Sequence, residues 1–266
     1  MNEFLSKYKR INGNTLKIFA CVVMLIDHFS AGIIIPVVRD GLYPDSVSFE
    51  TIESFYNILR AIGRNSFPIF CFLIVEGFLH TSSRIRYALS LFVFGLISEP
   101  VFDLVFYAKE DAFNLNIIEV LQANAASLGD KCNVYFTLLL GLLAIWAIEK
   151  IYSLPFAFEI RAVLALASSA AFVFIGERIH SDYHGFGVGL IIILYVMRTY
   201  EPIGLFAGYC LLSLLNREYA ALPSFVLLYF YNNKRGKNLG PLKYLFYAFY
   251  PAHLLLIYFI RCVVFG

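Results

Sequence analysis

Lys17 and His28 stand eleven positions apart in an apolar run, LKIFACVVMLIDHF. On a helix advancing about 100° per residue, eleven positions make three turns plus ~20°, so both side chains share a face, separated by ~16 Å along the axis. A cation at the start of a helix and an imidazole deeper along the same face would suit a substrate that reaches across the membrane. The alternative for Lys17 is a snorkelling anchor, and for His28 a hydrogen-bonded core residue. An ionisable residue within a membrane helix is a functional hypothesis by default.

Asp27, next to His28, points about 100° away and cannot orient it directly. A buried aspartate needs a cation or donors, and Arg64 in IGRNSFPIF is the candidate. NSFP there looks like a helix start, with Asn65 or Ser66 as cap and Pro68 in the first turn, where free N–H groups favour an anion. An Asp27–Arg64 pair would be either a staple between helices or part of a site. Other polar residues fall at similar depth. Glu76 lies one turn before His80, and Glu99 and Asp103 are four apart with Pro100 between them. Asp182 and Tyr183 precede a glycine-rich helix start, and His253 follows Pro251 in FYPAHLLLIYF. Each is either site-shaping or polar glue between helices.

The elements that must position these groups are membrane helices. Of the 266 residues 60% are hydrophobic and 15% charged, with a mean hydropathy of +0.72; a soluble domain carries roughly 45–50% apolar and about 25% charged residues. Charges and turn residues cut the chain into about nine apolar segments, near 15–38, 62–82, 86–107, 133–150, 160–177, 185–200, 202–216, 219–231 and 241–264. Several are shorter than the ~20 residues of a straightforward span, which allows tilted or broken helices. FNLNIIEVLQ reads as a further short surface helix. The first run lacks a small-residue cleavage site and is read as a retained helix. Lys and Arg favour the side of the N-terminus, most densely in NNKRGKN, so the N-terminus is expected in the cytoplasm. The five scattered cysteines form no zinc or redox pair, so no metal is expected. The net charge of +2, without a basic stripe, argues against nucleic acid.

LKIFACVVMLIDHF, IGRNSFPIFCFLIVEGFLHT, FGLISEPVFDLVF, NVYFTLLLGLLAI, SDYHGFGVGL and YNNKRG…KYLFYAFYPAHLLLI, in this order from about residue 15 to 258, resemble the TraX family. The resemblance implies a membrane protein that acetylates the N-terminus of a pilin subunit. TraX proteins are in turn similar to multispan acyltransferases that use coenzyme A donors. Those carry a Lys or Arg, ten residues and a catalytic His in the first helix, as Lys17 and His28 do. FPIFCFLIVEGF resembles their second helix, with Glu76 where a serine is common, and Arg84 and Arg86 loosely match a basic pair that follows.

The expectation is an all-α, polytopic helical bundle with about nine transmembrane helices. It forms one acyltransferase-like domain over 1–266, in which 1–14 is a short cytoplasmic segment, in the plasma membrane. His28 would be the base that moves an acetyl group from acetyl-CoA to a peptide amine, a glycan or another hydroxyl, with no permanently bound cofactor. Lys17, Arg84, Arg86, Lys234 and Arg235 would hold the donor's phosphates. Asp27, Arg64, Glu76, Glu99, Asp103, Asp182, Tyr183 and His253 would shape or orient the site. A proton-coupled transporter would also place Asp, Glu and His at mid-membrane, although no internal repeat is visible. A non-catalytic membrane scaffold would explain the helices but not the Lys17–His28 face.

Overall fold

In a computed structural model of the protein, residues 9–126, 128–240 and 243–266 are described. Residues 1–8 of the expected cytoplasmic segment lie outside them. The chain folds as an all-α helical bundle: α1 (Gly13–Phe29), a π-helical turn (Ser30–Ile34) and α2 (Ile35–Arg39); α3 (Phe49–Gly63) and α4 (Ser66–His80); α5 (Arg84–Phe106); α6 (Ile117–Ala123); α7 (Val134–Tyr152); α8 (Phe158–Arg178); α9 (His184–Val196); α10 (Glu201–Leu212); α11 (Leu222–Tyr229); and α12 (Lys243–Phe265). Among the described residues six stretches are long and apolar enough to cross a bilayer: 13–39, 49–80, 84–106, 134–152, 158–178 and 244–265. This is a multi-pass membrane protein. The short helix expected in FNLNIIEVLQ is α6.

The figure of nine spans is approximate, because two expected spans make one hairpin. At its base Lys9 pairs with Glu201 at the start of α10, and the Ile11 N–H donates to the Phe230 carbonyl just past α11, 3.2 Å away. Both ends of the α10–α11 pair therefore lie on the face of the N-terminus. With twelve residues α10 reaches about 18 Å, short of a ~30 Å hydrocarbon core. The hairpin enters, turns at 213–221 and leaves. A 75° bend separates it from α9.

Helix ends and prolines leave carbonyls that the fold must satisfy, since lipid offers no donors. Pro36 has no N–H for the Gly32 carbonyl four residues back. Arg261, fully buried, donates to that carbonyl at 3.1 Å and to Val105 and Leu104 at the end of α5, at 2.9 and 2.8 Å. Arg261 is thus an internal helix cap. Pro251 likewise frees the Tyr247 carbonyl, which accepts from the Tyr135 hydroxyl at 2.7 Å. Gly32 is where this packing closes: a Cβ there would lie 2.7 Å from Val105 and 2.8 Å from Ile257. The core is continuous through α1, α4, α5, α7, α9 and α12. α8 packs on α7 and α9 and leaves the rest of its surface to lipid.

Candidate functional site

α1 and α12 run parallel, with Lys17 Nζ 5.6 Å from the Phe246 ring and His28 against His253. Lys17 and His28 thus face one helix, as the eleven-residue spacing implies. His28 Nδ1 lies 2.7 Å from His253 Nε2, and His253 Nδ1 lies 2.6 Å from the Phe249 carbonyl. A carbonyl only accepts, so His253 carries its proton on Nδ1. In a neutral pair His253 Nε2 then accepts from His28 Nδ1–H, and the lone pair of His28 is on Nε2. His253 thus fixes the tautomer and ring orientation of His28. Phe106 and Tyr250 set their rings edge-on to His28 at 5.3 and 5.6 Å, and Phe249 stacks on His253 at 4.7 Å.

The carboxylates and guanidiniums beside the dyad pair differently from expectation. Asp27 Oδ2 lies 2.6 Å from Arg60 Nη1, whereas Arg64 Nη1 lies 2.9 Å from Glu218 Oε1. α3 starts well before the expected 62–82 segment, so both arginines sit at its end, one turn apart. Gly63 lets α1 close on α3 at Asp27: a Cβ there would fall 2.1 Å from Asp27 Oδ1. Arg64 is left to turn to the hairpin tip. Asn65 does precede α4 as its cap residue, but its side chain makes no capping bond. It donates to the Ile62 carbonyl at 3.1 Å and accepts from Ser224 N–H at 2.9 Å, tying the α3–α4 break to the hairpin.

Arg64 also bonds the Tyr183 hydroxyl. Tyr183 stacks on Phe67 at 3.6 Å and takes a left-handed backbone, φ 63°, as the chain enters α9. Burial raises the Asp182 carboxyl, against the pull of Arg64 and Arg60. A cavity of about 170 Å³ opens among Arg64, Tyr107, Cys132, Asp182, Tyr183 and Glu218. Lys131 and His180 stand exposed at its rim, on the face opposite the N-terminus. Arg64 Nε, His184 Nδ1 and Glu218 Oε2 line this space, buried and without hydrogen-bond partners. So is the Tyr250 hydroxyl, which stands within electrostatic range of Asp182 and Tyr107.

The remaining predicted residues separate into groups. Glu76 accepts from the Tyr231 hydroxyl at 2.8 Å, Glu99 from Asn133, and Asp103 from Gly129 N–H at 3.1 Å. Each of these joins segments distant in sequence. Arg235 lies within electrostatic range of Lys17, because Gly13 and Asn14 N–H donate to the Lys234 and Arg235 carbonyls at 2.9 and 3.0 Å. Lys234 and Arg86 are exposed. Arg84 pairs with Glu149 and lies 4.3 Å over the Phe78 ring, so its charge is already engaged. Arg60, Glu218 and Tyr250 escaped the sequence reading. Arg60 had a usable signal, four residues before Arg64 on one helix face; the other two had none. Among the described residues no group of three or more His, Cys, Asp or Glu side chains could hold a metal.

The chain belongs to the TraX family, whose model, described as TraX protein, matches residues 12–261. It is similar to the probable fimbrial assembly protein FimC, serogroup H1, of Dichelobacter nodosus. The two are 29% identical over 263 residues, which cover 91% of this chain and 92% of that protein. No solved structure matches it.

Proposed function

We propose that this member of the TraX family is an integral membrane acetyltransferase that takes its acetyl group from acetyl-CoA. The observation that carries the reading is the hydrogen-bonded His28–His253 pair at 2.7 Å, which leaves the lone pair of His28 on Nε2, within electrostatic range of Arg60 and Arg64. Lys17 and Arg235, two cations close together on the N-terminal face, supply charge for the donor's phosphates, with Lys234 adjacent and Arg86 within the same face. The acyl end would extend along the α1–α12 seam to His28.

In the reaction the acceptor's amine or hydroxyl attacks the thioester carbonyl carbon while His28 Nε2 takes its proton. The tetrahedral adduct then expels the coenzyme thiolate, which recovers a proton from His28. General base catalysis of this kind contributes typically ~10²–10⁴-fold. Asp27 and Arg60 hold α1 against α3 and so fix the depth of His28. Arg64, Asp182, Tyr183 and Glu218 line the acceptor side. The Dichelobacter protein is named for fimbrial assembly, so an amine on a surface-appendage subunit is the first acceptor to try, ahead of glycans and other hydroxyls. The basic turn at 232–238 supports an N-terminus on the cytoplasmic side of the plasma membrane.

A second reading has one specific observation behind it. Glu218, at the tip of a half-crossing hairpin, bonds Arg64 at mid-depth, an arrangement that a proton-coupled transporter could also use. Labelled acetyl-CoA decides between them. Purified protein should transfer label to an acceptor and bind coenzyme A saturably. A transporter would do neither.

A further inference from the structure

Tyr250 is 3% exposed, and its hydroxyl is buried without a partner. Burying a hydroxyl without a partner is costly, so a fold that keeps one has a use for it or could have replaced the residue by Phe. Its surroundings point to that use. The ring stands edge-on to His28 at 5.6 Å, to His253 at 5.7 Å and to Tyr135 at 5.3 Å. Pro251 follows directly, and the Tyr247 carbonyl that it frees is taken by Tyr135. The hydroxyl itself lies in the electrostatic field of Asp182 and Tyr107, two residues that line the polar cavity. A hydrogen-bond donor with nothing to donate to therefore stands beside the histidine pair, within electrostatic range of Asp182 in the cavity wall.

We infer that Tyr250 is a catalytic residue whose hydroxyl donates to the thioester carbonyl oxygen as the tetrahedral adduct forms. The inference rests on the acetyltransferase reading. As the acceptor nitrogen or oxygen bonds to the carbonyl carbon, the C=O π electrons move onto oxygen, and the Tyr250 O–H stabilises that negative charge. The charge returns to re-form C=O as the C–S bond breaks. Tyr250 keeps its proton throughout, while His28 carries the transferred one. A donor preorganised at a buried site needs no rearrangement when the charge develops, and one such donor is typically worth ~10²–10³ in turnover.

The test is Tyr250→Phe in the full-length protein, read in three ways. Acetyl transfer should fall about 10²–10³-fold in kcat with KM for acetyl-CoA essentially unchanged. Thermal stability should hold or rise, because Phe removes only an unpaired hydroxyl. The infrared carbonyl band of bound ¹³C-acetyl-CoA should lie at lower frequency in wild type than in the variant. An active wild type with a Phe variant of equal kcat, or with no difference in the carbonyl band, would overturn the role of Tyr250 and leave the acetyltransferase reading standing. A loss of activity accompanied by a fall in melting temperature and an unchanged band would mean a structural hydroxyl. A wild type that neither binds coenzyme A nor transfers acetyl would overturn both.

Discussion

Arg60 Nη1 meets Asp27 Oδ2 at 2.6 Å because Gly63, one turn along the same helix, lets the backbones of α1 and α3 approach at that level. The side chains are 19% and 14% exposed, so removing one partner strands a charge at mid-membrane. Asp27→Asn or Arg60→Gln should each cost about 3–5 kcal/mol, and the double variant less than the sum. A double-mutant cycle on thermal unfolding checks the coupling, and additive losses would mean that the two side chains act independently. Asp27 with Arg64 should show weaker coupling than Asp27 with Arg60.

His28→Ala should abolish transfer while coenzyme A still binds, since the imidazole acts on the acceptor's proton and Lys17 and Arg235 hold the donor. His253→Ala should lower kcat less than loss of His28, because it removes orientation rather than the base. Calorimetry beside turnover separates the two effects. Near wild-type turnover in His28→Ala would rule out the mechanism.

Coenzyme A affinity should fall several-fold in Lys17→Met, which keeps most of the apolar stem and removes the cation. The loss should be larger at low salt, since ions already screen an exposed site at high salt. Arg84→Met should change affinity less, as its guanidinium already pairs with Glu149. Titration of both variants at two salt concentrations tests the ranking.

Cysteines placed at the exposed Lys237 and Lys131, in a background without native cysteines, should label from opposite sides of the membrane. Label reaching both from one side would overturn the path of the helices.

The membrane class, most helix positions and the shared face of Lys17 and His28 were legible in the sequence, because hydropathy and a 3.6-residue period are local properties of one segment. The need of Asp27 for a cation was legible too, since an isolated carboxylate in lipid is costly wherever it sits. Which cation answers it was not. Arg60 and Arg64 lie one turn apart on α3, and the choice between them depends on how closely α1 and α3 approach at Gly63. His253 was legible as a candidate, but its partner 225 residues away was not, because only the packing of α12 beside α1 brings it to His28. Two segments apolar enough to read as spans became a half-crossing hairpin whose tip carries Glu218 to Arg64. Apolarity says that a segment avoids water, whereas its depth is decided by what its ends and its tip bond to. Pairings of this kind belong to the packing of helices against one another, and only the folded bundle brings their two halves into one place.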